Sequence, residues 1–366
     1  MKKGVSFLLY IVKLSSLFKH KAYAFSQAGD GEDDCKFATA ALKKIKPNLE
    51  LAGISLARIT DNYDIYSLRD EKEQFYKFKI SLLGDDNILK REATALRSIP
   101  KNESFPSLVK QGVEHLGEDI TYLLSKVKVG ESVRDYGRSV LMHKIDEFLE
   151  SYWTLPRSRP VRAKYFAILG DFLEQLIPSE CLPETALESV KSYTDYDVCE
   201  QFLLELRSET LTIRDNIEGE LNKKCHGNLS IDSIFYTNPS FYFDELHNVS
   251  MGHPYVDFVD LILETGVNED NDIKLLKKFC ESGEIAVNRD LYFQVYLMQL
   301  RKKLADLLIS YIREVYLYDS YRYEQILYIA DNFSHLYERF CKIELFKNNR
   351  DFLMKTIWEP IFGVKA

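Results

Sequence analysis

The chain has 366 residues, of which 46% are hydrophobic and 28% charged, enough apolar material to bury a substantial core in one large domain or two modest ones. That composition argues against a disordered chain. A formal net charge of −8 argues against a nucleic-acid partner, because neutralising a phosphate backbone takes a clustered surplus of Lys and Arg.

At the N-terminus, Lys2 and Lys3 precede an apolar run from Val5 to Val12, and Ala22-Tyr23-Ala24 imitates a cleavage site. Lys13 interrupts the run, and Lys19, His20 and Lys21 stand where a secretory signal needs small uncharged residues. The run is also far short of the ~20 apolar residues that span a bilayer. It reads as an amphipathic helix, packed on the body or lying at a membrane surface through residues 4–18. Residues 26–35, SQAGDGEDDC, read as an acidic linker, so that 1–45 forms an N-terminal extension.

From Leu51 to Leu83 the segments ISLARIT, YDIYSL and QFYKFKISLL alternate β-branched and aromatic residues with polar ones and predict three antiparallel strands. Asp86 to Ile99 carries Ile88, Ala93, Leu96 and Ile99 at helical spacing, with Asp85 or Asp86 as N-cap and Pro100 to stop it. PSLVKQGVEH and DITYLLSKV predict a further strand pair. Beyond Gly130 the spacing turns helical, over 142–154, 162–177, 188–218 and most of the last hundred residues. The expected class is α+β and bilobal: a small antiparallel-sheet lobe with one helix over 46–126, then a larger, mainly helical lobe over 127–366.

The six cysteines, Cys35, Cys181, Cys199, Cys225, Cys280 and Cys341, form no C-x-x-C pair and read as reduced, mostly buried thiols of a cytoplasmic protein, with no structural zinc. His247 and His253 read as loop residues, since no third ligand stands at a sensible spacing. Tyr311, Tyr316, Tyr318, Tyr321 and Tyr323 fall on several faces of a helical stretch and read as packing residues.

Phosphoryl transfer calls for a cation at the phosphates, oxygen ligands for magnesium and a carboxylate base. In FYKFKI, Lys79 stands late in a strand between Phe78 and Ile80, and Glu92 on the following helix is placed to pair with it. A second constellation runs through HGNLSIDSIFY, a polar loop entering a strand, then PSFYFDELH, a strand ending on Asp244, then GHPYVDFVDLI with Asp257.

The order and spacing of these segments resemble the aminoglycoside phosphotransferase and choline-kinase-like superfamily, whose signature reads roughly H-G-D-L-H-x-x-N-I-L, then I-D-[FW]-E, then G-x-P-x-x-D-L-A. YLLSKVKVGESVRDY, from Tyr122 to Tyr136, is similar to that family's hinge. The resemblance covers about residues 50–265 and implies a kinase-like fold that binds ATP and Mg2+. It implies a phosphate-contacting Lys79 with Glu92 as partner, hinge contacts to nucleotide at Ser125 and Val127, and a metal-chelating Asp244. His226 would open and brace the catalytic loop 226–235, and Asp257, in the metal-site segment 241–257, would tie that loop to the helix behind it.

Departures from the pattern set the functional reading. Asn228 stands where the family has its proton-accepting aspartate, and an amide is no base at neutral pH. Ser233 replaces the metal-binding asparagine, Ser230 the second histidine, and the turn Ala57–Asn62 lacks glycine. Asp232, next to Ser233, reads either as a loop cap or as a substitute metal ligand with Glu245 nearby. The expected function is therefore a pseudokinase that binds nucleotide and acts through a protein partner. The alternative is an atypical ATP-dependent phosphotransferase acting on a hydroxyl of a sugar, amino alcohol or glycoconjugate.

Overall fold

The computed structural model describes residues 32–59, 63–81, 87–99, 104–133, 141, 143–155, 159, 161–174, 196–265 and 269–312, with 332 and 336. In chain order the elements are α1 (Glu32–Ile45), β1 (Leu51–Ile59), β2 (Asp64–Asp70), β3 (Phe75–Ser81), α2 (Asn87–Ser98), β4 (Ser107–His115), β5 (Asp119–Val127), β6 (Glu131–Ser132), α3 (Ile145–Tyr152), α4 (Tyr165–Glu174) and α5 (Tyr196–Ile217). They continue with β7 (Lys223–Cys225), β8 (Ile234–Tyr236), β9 (Phe241–Phe243), β10 (Ser250–Gly252), α6 (Pro254–Thr265), α7 (Glu269–Ser282) and α8 (Arg289–Ile312). The chain is α+β with a five-stranded antiparallel sheet.

Two compact units divide these elements. The first comprises the described residues within 1–162 together with 230–250, so the segment carrying Ser233 and Asp244 groups with the strands and not with the later helices. Its main sheet has the order β1-β2-β3-β5-β4. The β2–β3 hairpin closes through Asp70, whose Oδ1 accepts the backbone N–H groups of Lys72 and Gln74 at 2.9 and 2.8 Å, an Asx-type turn that leaves Glu73 at φ 59°.

One face of this sheet is covered by α1, which begins at Glu32, inside the stretch expected to be a linker. Residues that look like linker composition form its first turn. Ala38, Ala41, Leu42 and Ile45 then recur at helical spacing and are buried against Tyr66, Leu68, Phe78, Ile80, Ile120, Tyr122 and Leu124. In α2 a narrower stripe, Leu89, Glu92, Ala93 and Leu96, is buried, with one charge among its apolar members. A second small sheet of the order β6-β8-β9 is packed by aromatic rings, Phe148 lying edge-on to Phe241 and Phe243 at 5.6 and 5.5 Å.

The second unit, the described residues within 163–229 and 251–366, is mainly helical. Here the strand β7 runs beside β10, and β10 leads into α6. A Cβ on Gly252 would stand 2.7 Å from Cys225 Sγ and 2.9 Å from Tyr165 Cβ, so only glycine lets this backbone approach so closely. His253 caps α6 with Pro254 at its first helical position, where a missing N–H costs nothing. Cys225 and Cys280 are buried and Cys35 is half-buried, none of the three in a disulfide.

No helix among the described residues is long and apolar enough to cross a membrane. Residues 4–18, the caps Asp85 and Asp86, Pro100, most of the turn after Ile59, the start of the helix expected over 188–218 and the tyrosines beyond Ile312 lie outside the described residues.

Candidate functional site

Strand alternation aims Lys79 from β3 at α2, and the helical stripe brings Glu92 round to meet it. Lys79 Nζ donates to both Glu92 carboxylate oxygens at 2.8 Å, and each residue is 1% exposed. Tyr63 lies against the ammonium, its ring centroid 5.4 Å from Nζ. Burial alone would depress the Lys79 pKa, but Glu92, Tyr63 and Asp244 outweigh it and hold the ammonium above its usual range. A charge this deeply buried survives only because it is paired, and a fixed cation of this kind suits phosphate oxygens.

Asp244 follows β9, and its backbone N–H donates to Ser233 O at 2.9 Å, which pins it to the start of β8. Glu245 adopts a left-handed conformation, φ 57°, and its backbone N–H turns back to the Asp244 carboxylate. Burial would raise this carboxyl, but Lys77 and Lys79 outweigh burial and hold it well below the usual carboxylate range. Lys77 donates to Asp244 Oδ2 directly, and its ammonium also lies 5.3 Å from the Phe235 ring centroid. Lys77 was not singled out from sequence, yet the signal existed: two residues before Lys79, strand periodicity puts both amines on one face.

The other half of the expected catalytic loop stands in the second unit. Asp257, fully buried in the first turn of α6, accepts the His226 backbone N–H at 2.6 Å and the Gly227 backbone N–H at 2.7 Å. The loop is thus tied to α6 through backbone groups, with Gly227 at φ 84° turning the chain. His226 is fully buried and Asn228, two residues on, is half-buried. An amide at this point can position a hydroxyl by hydrogen bonding but cannot take its proton.

The donor set as arranged does not fit a divalent cation. Asp244 is already matched by the Lys77 ammonium. Ser233, fully buried, spends its hydroxyl inside its own turn, donating to Ser230 O at 2.8 Å and accepting from Ser230 N at 3.1 Å. Asp232 is half-buried in the same turn. Among the described residues there is no group of three or more His, Cys, Asp or Glu side chains disposed to hold a metal. At the expected hinge, Ser125 is buried on β5, and the Val127 carbonyl accepts the Gln74 amide at 3.3 Å.

A buried strand lysine on a helix glutamate, an acid after a short hairpin, and a loop held by a helix aspartate define a kinase-like phosphotransferase fold. The chain has the fold shared by aminoglycoside phosphotransferases and choline kinases. Among solved structures it is similar to choline kinase LicA from Streptococcus pneumoniae, with a TM-score of 0.52 and 15% identity over 82% of this chain and 99% of that one. It is also similar to APH(2")-IIia, solved with GDP and kanamycin, at 0.52 and 11% over 83% and 99%. A thermostable mutant of aminoglycoside phosphotransferase APH(4)-Ia matches at 0.51 and 10% over 78% and 94%. No family model and no curated protein matches the chain.

Proposed function

We propose that this protein is a pseudokinase of the aminoglycoside-phosphotransferase type, which binds a nucleoside triphosphate at Lys79 and acts by engaging a protein partner. The buried, bidentate Lys79–Glu92 pair supports nucleotide binding, since it fixes an ammonium of the kind that suits phosphate oxygens. Asn228 in the seat of the base supports the loss of chemistry, which by itself removes roughly two to four orders of magnitude in rate.

A second reading, an atypical phosphotransferase acting on a hydroxyl of a sugar, amino alcohol or glycoconjugate, is favoured by the same intact pair. Loose phosphoryl-transfer transition states depend more on positioning and charge than on a strong base. The kanamycin bound to APH(2")-IIia and the choline of choline kinase LicA are hydroxyl-bearing molecules of that chemical kind.

The discriminating experiment follows release of labelled γ-phosphate to water and to a panel of amino alcohols and aminoglycosides. A pseudokinase gives no transfer above the uncatalysed rate, and a gain in Asn228→Asp identifies the missing base. Saturable transfer by the wild type establishes the second reading instead.

A further inference from the structure

A kinase-type metal site leaves one acid for a divalent ion because its single lysine is committed to the helix glutamate. In this protein β3 supplies two lysines on one face, and each carboxylate has its own ammonium: Lys79 on Glu92 and Lys77 on Asp244. Lys77 is held there, its side chain 22% exposed, over the Phe235 ring and bonded to an acid that is itself 2% exposed. The other ligand position is engaged independently, since the Ser233 hydroxyl donates to Ser230 O and accepts the Ser230 N–H within its own turn. A divalent ion approaching Asp244 would have to displace a paired ammonium, and the Ser233 hydroxyl is already engaged in its own turn. Magnesium, which is reluctant to dehydrate and demands near-octahedral oxygen ligands, is poorly served by that exchange.

We infer that Lys77 is a built-in cation that takes the place of the divalent ion at Asp244, so that nucleoside phosphates bind this protein without magnesium. The second half of the inference rests on the nucleotide reading proposed above; the exclusion of metal by Lys77 does not. Lys77 then neutralises phosphate charge as a single positive charge from the protein, next to Lys79. A monovalent ammonium supplies less charge than magnesium to a transferring phosphoryl group, which agrees with binding in the absence of turnover.

Two arms on the full chain test this. In the first, manganese alone is titrated without nucleotide and followed by paramagnetic resonance of the free ion, in wild type, Asp244→Asn, Lys77→Met and the Lys77→Met/Asp244→Asn pair. The expected result is no Asp244-dependent binding in wild type, a site gained in Lys77→Met, and its loss in the double variant. Asp244-dependent manganese binding by the wild type, or no gain in a folded Lys77→Met, overturns the role of Lys77. In the second arm ATP is titrated in EDTA and in magnesium. Wild-type affinity is expected to differ by no more than about threefold between them, and that of Lys77→Met to rise at least about tenfold with magnesium. A wild type that binds ATP only with magnesium overturns metal-free binding. No ATP binding under either condition defeats the nucleotide reading and metal-free binding together, and the manganese arm still decides what Lys77 does. If Lys77→Met fails to fold, the wild-type measurements of both arms decide alone.

Discussion

Lys79 and Glu92 form a bidentate ion pair at 2.8 Å with each side chain 1% exposed, although they come from different elements thirteen residues apart. Removing one partner leaves the other charge buried with nothing opposite it. Lys79→Met is therefore expected to cost about 3–5 kcal/mol of stability, while Lys79→Met/Glu92→Leu, which removes both charges and keeps the volume, recovers most of that loss. Urea denaturation with an unchanged slope measures both effects.

Asp257 holds His226 and Gly227 by two charge-assisted bonds from backbone N–H groups. Asn at this position offers one acceptor oxygen and turns an NH2 toward a donor. Asp257→Asn should destabilise the second unit by about 2–3 kcal/mol. Hydrogen exchange at the His226 and Gly227 amides should accelerate more than at the rest of α6, which separates local loosening from a general loss of stability.

His253 sets a pH dependence. Burial, with a smaller push from Lys223, lowers its pKa from 6.5 to about 4. Its Nδ1 accepts the Tyr255 backbone N–H at 3.1 Å, an acceptor role that protonation would end. The folded pKa lies below the unfolded one, so the unfolded chain takes up the proton first. The stabilisation is complete above pH 6.5 and is lost as the pH falls toward 4, by roughly 3 kcal/mol in all. His253→Gln should flatten stability over that window. Asp244, whose folded pKa is depressed, contributes a separate loss only at lower pH, beginning near the unfolded carboxylate value of about 3.9.

Glu73, at φ 59° in the β2–β3 hairpin, occupies a left-handed position that costs a side chain about 1–2 kcal/mol. Its ion pair with Arg69 is exposed and contributes little. Glu73→Gly should raise stability by roughly 0.5–1 kcal/mol, the conformational relief less the extra entropy that glycine loses. Thermal melting of the variant against wild type checks the sign.

Strands β2, β3 and β5 were legible because alternation of apolar and polar residues is a local signal, and their ends agree with the expected segments to within a few residues. The α2 helix was legible for the same reason. Helix α1 was not, because Glu32, Asp33 and Asp34 look like linker composition and two of its buried positions are alanines, which carry little hydrophobic signal. Lys79 with Glu92 could be placed in advance because a strand amine facing a helix acid follows from local periodicity, whereas Asp257 behind His226 was implied only by the family resemblance. The partner of Lys77 could not: Asp244 lies 167 residues away, and no periodicity reports which buried acid a lysine meets. Nor did the sequence show that the Ser233 hydroxyl donates and accepts within its own turn.

The central claim is that the buried lysine of β3 holds a nucleotide. Calorimetric titration of ATP into wild type and into Lys79→Met/Glu92→Leu, whose folding is first verified by urea denaturation, tests it directly. Saturable binding to the wild type that vanishes in the double variant is the predicted result. No binding up to about millimolar ATP, equivalent to less than about 4 kcal/mol, or equal binding by both proteins, would contradict it.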